Sequence, residues 1–208
     1  AMQKHRLEKR LKECKARLDR TLKGVIEAFT ETIETRGTCN SGHHQRVKKL
    51  ATAIAKDMGM SDFQVEGIGL AAAVYDLGLI NVPFEVIQDR DKLEGLRLAL
   101  YRTYPTIGYS ILKKIDFSWP LAEIVLQHCE HYDGTGFPQG IKGEEILLEA
   151  RILAVADAME NLTSQRLHRN GLPPDKALAV ITADSGSRYD PRVVNACLRL
   201  FNEHGFRI

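Results

Sequence analysis

Apolar residues recur in steps of three and four along nearly the whole chain, the spacing of helices that each bury one face. Over 3–36 the stripe is Leu7, Leu11, Cys14, Leu18, Leu22, Val25, Phe29 and Ile33, interrupted only by Gly24. Its first part has the form of a coiled-coil seam with an extra step near Leu18 to Leu22, and its remaining faces are densely charged. The same stripe would also suit a helix packed on its own domain, with Phe29 and Ile33 the residues placed to dock. "RGTCNSG" at 36–42 is a turn and capping segment, so we expect a first unit over 1–36 and a second over 37–208. Further helical patterns fall near 43–58, 61–77, 91–113, 118–131, 143–164, 173–183 and 190–203. No stretch alternates with period two, so the expected fold class is all-α.

Four of these apolar faces carry an ionisable residue. His43 heads the stripe Val47, Leu50, Ala51 and Ile54; Asp76 follows Ile68, Ala72 and Tyr75; His128 follows Leu121, Ile124 and Val125; Asp157 follows Ala150, Leu153 and Ala154. One such residue alone is most simply a core group satisfied by a hydrogen bond. A buried carboxylate costs several kcal/mol unless it finds a donor, a cation or a proton. Asp76 and Asp157 therefore need partners, which two histidines or a divalent metal held between facing helices would supply. Spacing leaves both readings open.

Composition adds limits. A core is affordable at 44% hydrophobic residues in 208, and 29 Lys and Arg against 27 Asp and Glu leave no overall basic footprint for nucleic acid. Cys14, Cys39, Cys129 and Cys197 lack any CxxC pairing and no secretory leader precedes them, so reduced thiols and a cytoplasmic location are expected. The longest nearly apolar run, "IGLAAAVY", is too short for a membrane span, and none is expected.

"HCEHYDGTGFPQGIKGEEILLEARILAVADAMENLTS" resembles the HD-GYP branch of the HD-domain metal-dependent phosphohydrolases, and "GHHQRV", "YDLGLINVP", "YPTIGYSIL" and "YDPRVV" match further segments in order, over about 36–206. The resemblance implies a helical bundle with a multi-metal centre (Fe, Mn or Zn) that opens cyclic di-GMP. It places residual ligands at His43, Asp76, His128 and Asp157, with Asp76 the catalytic aspartate of any active form. It also marks departures: Tyr75 and Tyr104 where histidines are expected, Cys129 for the second of a histidine pair, and Leu79 for a lysine. A phenol is a poor ligand, whereas Cys129 could hold zinc or iron as a thiolate or simply be a small buried thiol.

The signature turn reads Gly136, Phe137 and Pro138, which keeps the ring and drops a hydroxyl. In the family this loop has been considered a docking surface for diguanylate cyclase domains; a plain connector is the other account. Arg166 and Arg169 match phosphate-holding positions, though solvated surface charge fits them equally. Three functions follow as expectations: a regulatory or interaction module that no longer hydrolyses, a phosphodiesterase with a reduced metal site, or a receptor that binds cyclic di-GMP without cleaving it. Another signalling protein, or a second copy joined through the N-terminal helix, is an expected partner.

Overall fold

The computed structural model describes residues 2–35, 42–88, 92–165 and 170–207. Ten α-helices account for most of them, and no strand occurs among the described residues. The expected boundary at 36/37 and the two arginines, Arg166 and Arg169, lie outside the described residues.

Helix α1 (Met2–Thr35) is two things in one element. From Gln3 to Thr21 every side chain described is exposed, whereas Ile26, Thr30 and Ile33 are buried and Phe29 is half-buried. The Thr30 hydroxyl donates to the carbonyls of Ile26 at 3.0 Å and Ala73 at 2.7 Å, which fastens this end of the helix to α3 (Asp62–Val74).

Helices α2 (His43–Asp57), α3 (Asp62–Val74) and α8 (Leu148–Thr163) meet at the centre, with Val47, Leu50, Ile54, Ile68, Ile152 and Leu153 fully buried. Ser61 starts α3 with a capping box to Gln64, which satisfies two otherwise orphaned amides. The segment Asp62–Asn81 is long and apolar enough to cross a membrane by composition, but 78% of its most apolar 18-residue window is buried inside the fold. That is the setting of a core helix.

Helix boundaries depart from the periodicity where the chain must turn. The helix expected over 61–77 ends at Val74 and continues as a 3-10 turn, Leu77–Asn81. Gly78 lies so close to the next layer that a Cβ there would be 1.8 Å from the Tyr104 carbonyl oxygen. The pattern over 91–113 divides into α5 (Gly95–Tyr101) and α6 (Tyr104–Leu112), because Pro105 has no N–H to give the carbonyl four residues back. Between them and the 3-10 turn, α4 (Phe84–Gln88) adds a small cluster of Leu79, Val82, Val86, Ile87, Leu93 and Tyr104.

Helix α7 (Leu121–Gln127) stops before His128, which sits at its C-terminal cap rather than inside a helix reaching 131. Helices α9 (Pro174–Ala183) and α10 (Pro191–Asn202) close the bundle. The Asp190 side chain caps α10 through the Arg192 amide at 2.8 Å and pairs with buried Arg151 at 2.6 Å. The motifs "YDPRVV" and "ARI" are thus joined by one buried ion pair.

Candidate functional site

The residues from three separate apolar faces converge on Tyr75. Its hydroxyl lies 2.5 Å from His43 Nε2 and donates to Asp157 Oδ1 at 2.6 Å. His43 and Asp157 themselves are 3.4 Å apart. The phenol oxygen thus bridges a histidine and an aspartate expected to be ligands. On the other side of the ring, His43 Nδ1 contacts the Glu160 carboxylate, which also accepts from Arg46 Nε at 2.8 Å and Ser164 Oγ at 2.6 Å.

Proton bookkeeping follows from these contacts. The carboxylate of Glu160 requires a hydrogen on Nδ1 of His43. With the single phenolic proton directed at Asp157, Nε2 of His43 must also carry a hydrogen to reach the phenol oxygen. In this arrangement both ring nitrogens of His43 are engaged by protein oxygens. Burial opposes the ionised form of Asp157, yet the contact with His43, the charge of that ring and the Tyr75 hydroxyl together hold its carboxyl well below the usual range. Glu160 behaves alike: burial opposes its charge, and His43, Ser164 and Arg46 outweigh burial to hold its carboxyl low.

A second phenol repeats the arrangement. The Tyr104 hydroxyl lies 2.9 Å from His128 Nε2 and 2.9 Å from Cys129 Sγ. His128 Nδ1 donates to the Val125 carbonyl at 2.6 Å, so its Nε2 is the acceptor and takes the phenolic proton, leaving the thiol to donate to the phenol oxygen. Burial pushes the His128 ring down against the pull of Asp76, pushes the Cys129 thiol up, and pushes Tyr104 well up with help from Cys129. All three groups are therefore neutral in this arrangement.

Asp76 is buried on the turn after Tyr75, 3.7 Å from Nε2 of His44. His44 is buried too; its Nδ1 meets Glu34 of α1 at 3.2 Å, and its Nε2 has no hydrogen-bond partner among the described residues. Leu79, at the expected lysine position, is buried in the small apolar cluster. Among the described residues no three His, Cys, Asp or Glu side chains are grouped so as to hold a metal ion. As arranged here, the Tyr75 hydroxyl stands between His43 and Asp157 and the Tyr104 hydroxyl bonds His128, an arrangement that does not fit a metal held by His43, Asp76, His128 and Asp157 together.

The signature turn is built from below. Glu130 is buried and accepts the amides of Gln139 at 2.6 Å and Gly140 at 3.1 Å. Burial raises its pKa, and those amide bonds partly offset the rise. A Cβ on Gly136 would fall 2.2 Å from the His131 amide nitrogen, so this glycine serves close approach, while positive φ occurs at Gly134 and Gly140. Phe137 carries the Arg102 guanidinium over its ring at 5.2 Å, and Pro138 follows it. The amides of Tyr132 and Asp133 donate to the carbonyls of Arg188 and Ser187, tying the turn to the loop before α10.

Above these groups opens a cleft of about 390 Å³ whose walls include Asp76, His128, Asp157, Tyr101, Phe137 and Arg188. His131 lines it as well, with Nδ1 2.9 Å from the Thr135 hydroxyl. The sequence alone showed no sign of Glu34, His44 or Arg46 at this site, nor did it single out Glu160. For Glu160 a signal existed: it lies three residues after Asp157, on the same helical face.

The HD domain family matches residues 27–193. The chain is 35% identical over 195 residues to the cyclic di-GMP phosphodiesterase response regulator RpfG of Xanthomonas campestris pv. campestris, covering 93% of this chain and 52% of that protein. It is 34% identical over 201 residues to a cyclic di-GMP phosphodiesterase of Thermotoga maritima, covering 95% and 54%. Among solved structures, a cyclic GMP-AMP specific phosphodiesterase of Vibrio cholerae shares the fold with a TM-score of 0.68 at 20% identity, over 86% of this chain and 48% of that one. Bd1817 of Bdellovibrio bacteriovorus, an HD-GYP-type protein, does so with a TM-score of 0.64 at 24% identity, over 79% and 53%. The chain spans about half the length of these relatives. By the extent of the family match and its all-helical architecture, the chain belongs to the HD domain family.

Proposed function

We propose that this HD domain serves cyclic dinucleotide signalling as a regulatory module that does not hydrolyse phosphodiesters. The observation that carries the reading is the Tyr75 hydroxyl, bonded at once to His43 and Asp157. Metal-assisted hydrolysis needs cations to generate hydroxide and to offset charge on the phosphoryl oxygens. Here His43 is bonded to the Tyr75 phenol and the Glu160 carboxylate, Asp157 to the same phenol, and His128 to the Tyr104 phenol. The relatives named cyclic di-GMP phosphodiesterases support the signalling context.

The test is turnover of cyclic di-GMP by purified protein after reconstitution with Fe(II) or Mn(II), together with elemental analysis. The expected result is no pGpG or GMP and less than one metal per chain. Hydrolysis that disappears in Asp76→Ala would overturn the reading in favour of a phosphodiesterase with a reduced site.

The cleft itself favours one further reading, a receptor that holds the nucleotide intact. Tyr101 and Phe137 offer apolar ring surface, and Arg188 offers a cation that can bond a phosphate. Calorimetry with cyclic di-GMP distinguishes it: heat without turnover supports the receptor, and no heat at millimolar ligand rejects it.

A further inference from the structure

We propose that the exposed N-terminal half of α1 is a docking seam for an α-helix of another protein, one that carries acidic residues on both sides of an apolar stripe. The seam is apolar and uncovered. Leu7, Leu11 and Leu18 are 61%, 72% and 64% exposed, and Val25 continues the same face at 45%. Three large aliphatic side chains in one line, each more than half in water, are what a coiled-coil partner covers. The domain leaves the described side chains of 3–21 uncovered, because contact with the core starts at the half-buried Leu22 and full burial at Ile26.

Charge identifies the occupant. Residues 1–23 hold nine of the 29 Lys and Arg but three of the 27 Asp and Glu, leaving 20 basic against 24 acidic in the rest of the chain. With Leu11 and Leu18 at a and Leu7 and Cys14 at d, the g positions are Arg10 and Arg17 and the e positions are Glu8 and Lys15. Glu8 already lies 4.0 Å from Lys4 one turn back. In a parallel pair of identical helices Arg10 would face Lys15 of the other chain, and in an antiparallel pair Arg10 would face Arg17, with Glu8 facing Lys15 as the single opposite-charge pair. Like charges at these positions select against self-pairing, and glutamates at the partner's e and g positions reverse the sign. An anionic membrane suits the stripe less well, since it is narrow and holds no aromatic residue before Phe29. The seam is independent of whether the cleft hydrolyses anything.

The experiment uses the full chain and two labelled heptad peptides with Leu at a and d, one with Glu and one with Lys at e and g, followed by fluorescence anisotropy. The Glu peptide should bind at least about tenfold more tightly than the Lys peptide, lose affinity as salt is raised, and fail to bind Leu11→Asp/Leu18→Asp. That variant should melt at the same temperature as the parent, which separates seam loss from unfolding. Equal binding of both peptides, or binding indifferent to the double substitution, overturns the proposal. So does a dimer of the chain by sedimentation that the double variant abolishes, or preferential capture by phosphatidylserine vesicles, since either assigns the seam to another occupant.

Discussion

Tyr75 changes the chemistry of its surroundings because a hydroxyl can complete hydrogen bonds where a metal would need lone pairs. The sequence made the substitution visible and left its consequence open, since spacing alone could not say whether the ring would point into the ligand cluster or past it. Removing only the oxygen is the direct test. Tyr75→Phe should cost about 1–3 kcal/mol, because His43 and Asp157 would face an apolar edge; urea denaturation measures it, and an unchanged midpoint would contradict the bridging role.

Glu160 sets a pH limit at the same scale. Its carboxyl is held below its ordinary value of 4.5, so its stabilising contribution is complete above about that pH and is lost as pH falls through the lowered folded value. The acid limb of a stability-pH curve should therefore be shallower in Glu160→Gln. Thiols give a third readout. Burial raises the Cys197 thiol to about 12 and Cys129 higher still, while Cys14 is exposed. Mass-spectrometric mapping after brief maleimide treatment of the native protein should find Cys14 modified and Cys197 spared, with the half-buried Cys129 reacting more slowly than Cys14.

Elements were legible where a long amphipathic stripe is packed on one side only. Helix α2 appears as expected because Val47, Leu50, Ala51 and Ile54 all face the core. The breaks were less legible because tertiary contact decides them. Asp76 was expected at the end of a helix and sits on a turn, set by the approach of Gly78 to the Tyr104 carbonyl oxygen. Gly78→Ala should destabilise by several kcal/mol or prevent folding, since the obstructing atom is backbone and cannot rotate away. Likewise, nothing local in "HCEHYDGTGFPQG" revealed that Glu130 holds the turn from beneath. Glu130→Ala should leave the helices intact and speed amide exchange at Gln139 and Gly140, which hydrogen-exchange mass spectrometry resolves.

For the molecule as a whole, α1 joins a projecting basic seam to a buried end that belongs to the domain. Its Glu34 meets His44, which stands beside Asp76, so the helix reaches to within two side chains of the cleft. The long stripe in the sequence could not show where burial begins, because Leu18 and Ile26 are equally apolar and differ only in what lies opposite. Removing 2–20 should move the melting temperature by no more than about 2 °C, whereas Ile33→Asp, at a position 1% exposed, should unfold the domain or lower its melting point far more.

The phenol bridges also couple positions far apart in the chain. Tyr75 and Tyr104 each satisfy two neighbours, so a substitution at either one alone strands groups that the present arrangement keeps bonded. Histidine introduced singly at 75, 104 or 129 should therefore lower stability, and the separate costs should not add when the three are combined. The cluster would then respond as one cooperative unit, in which no member is exchanged without disturbing the others.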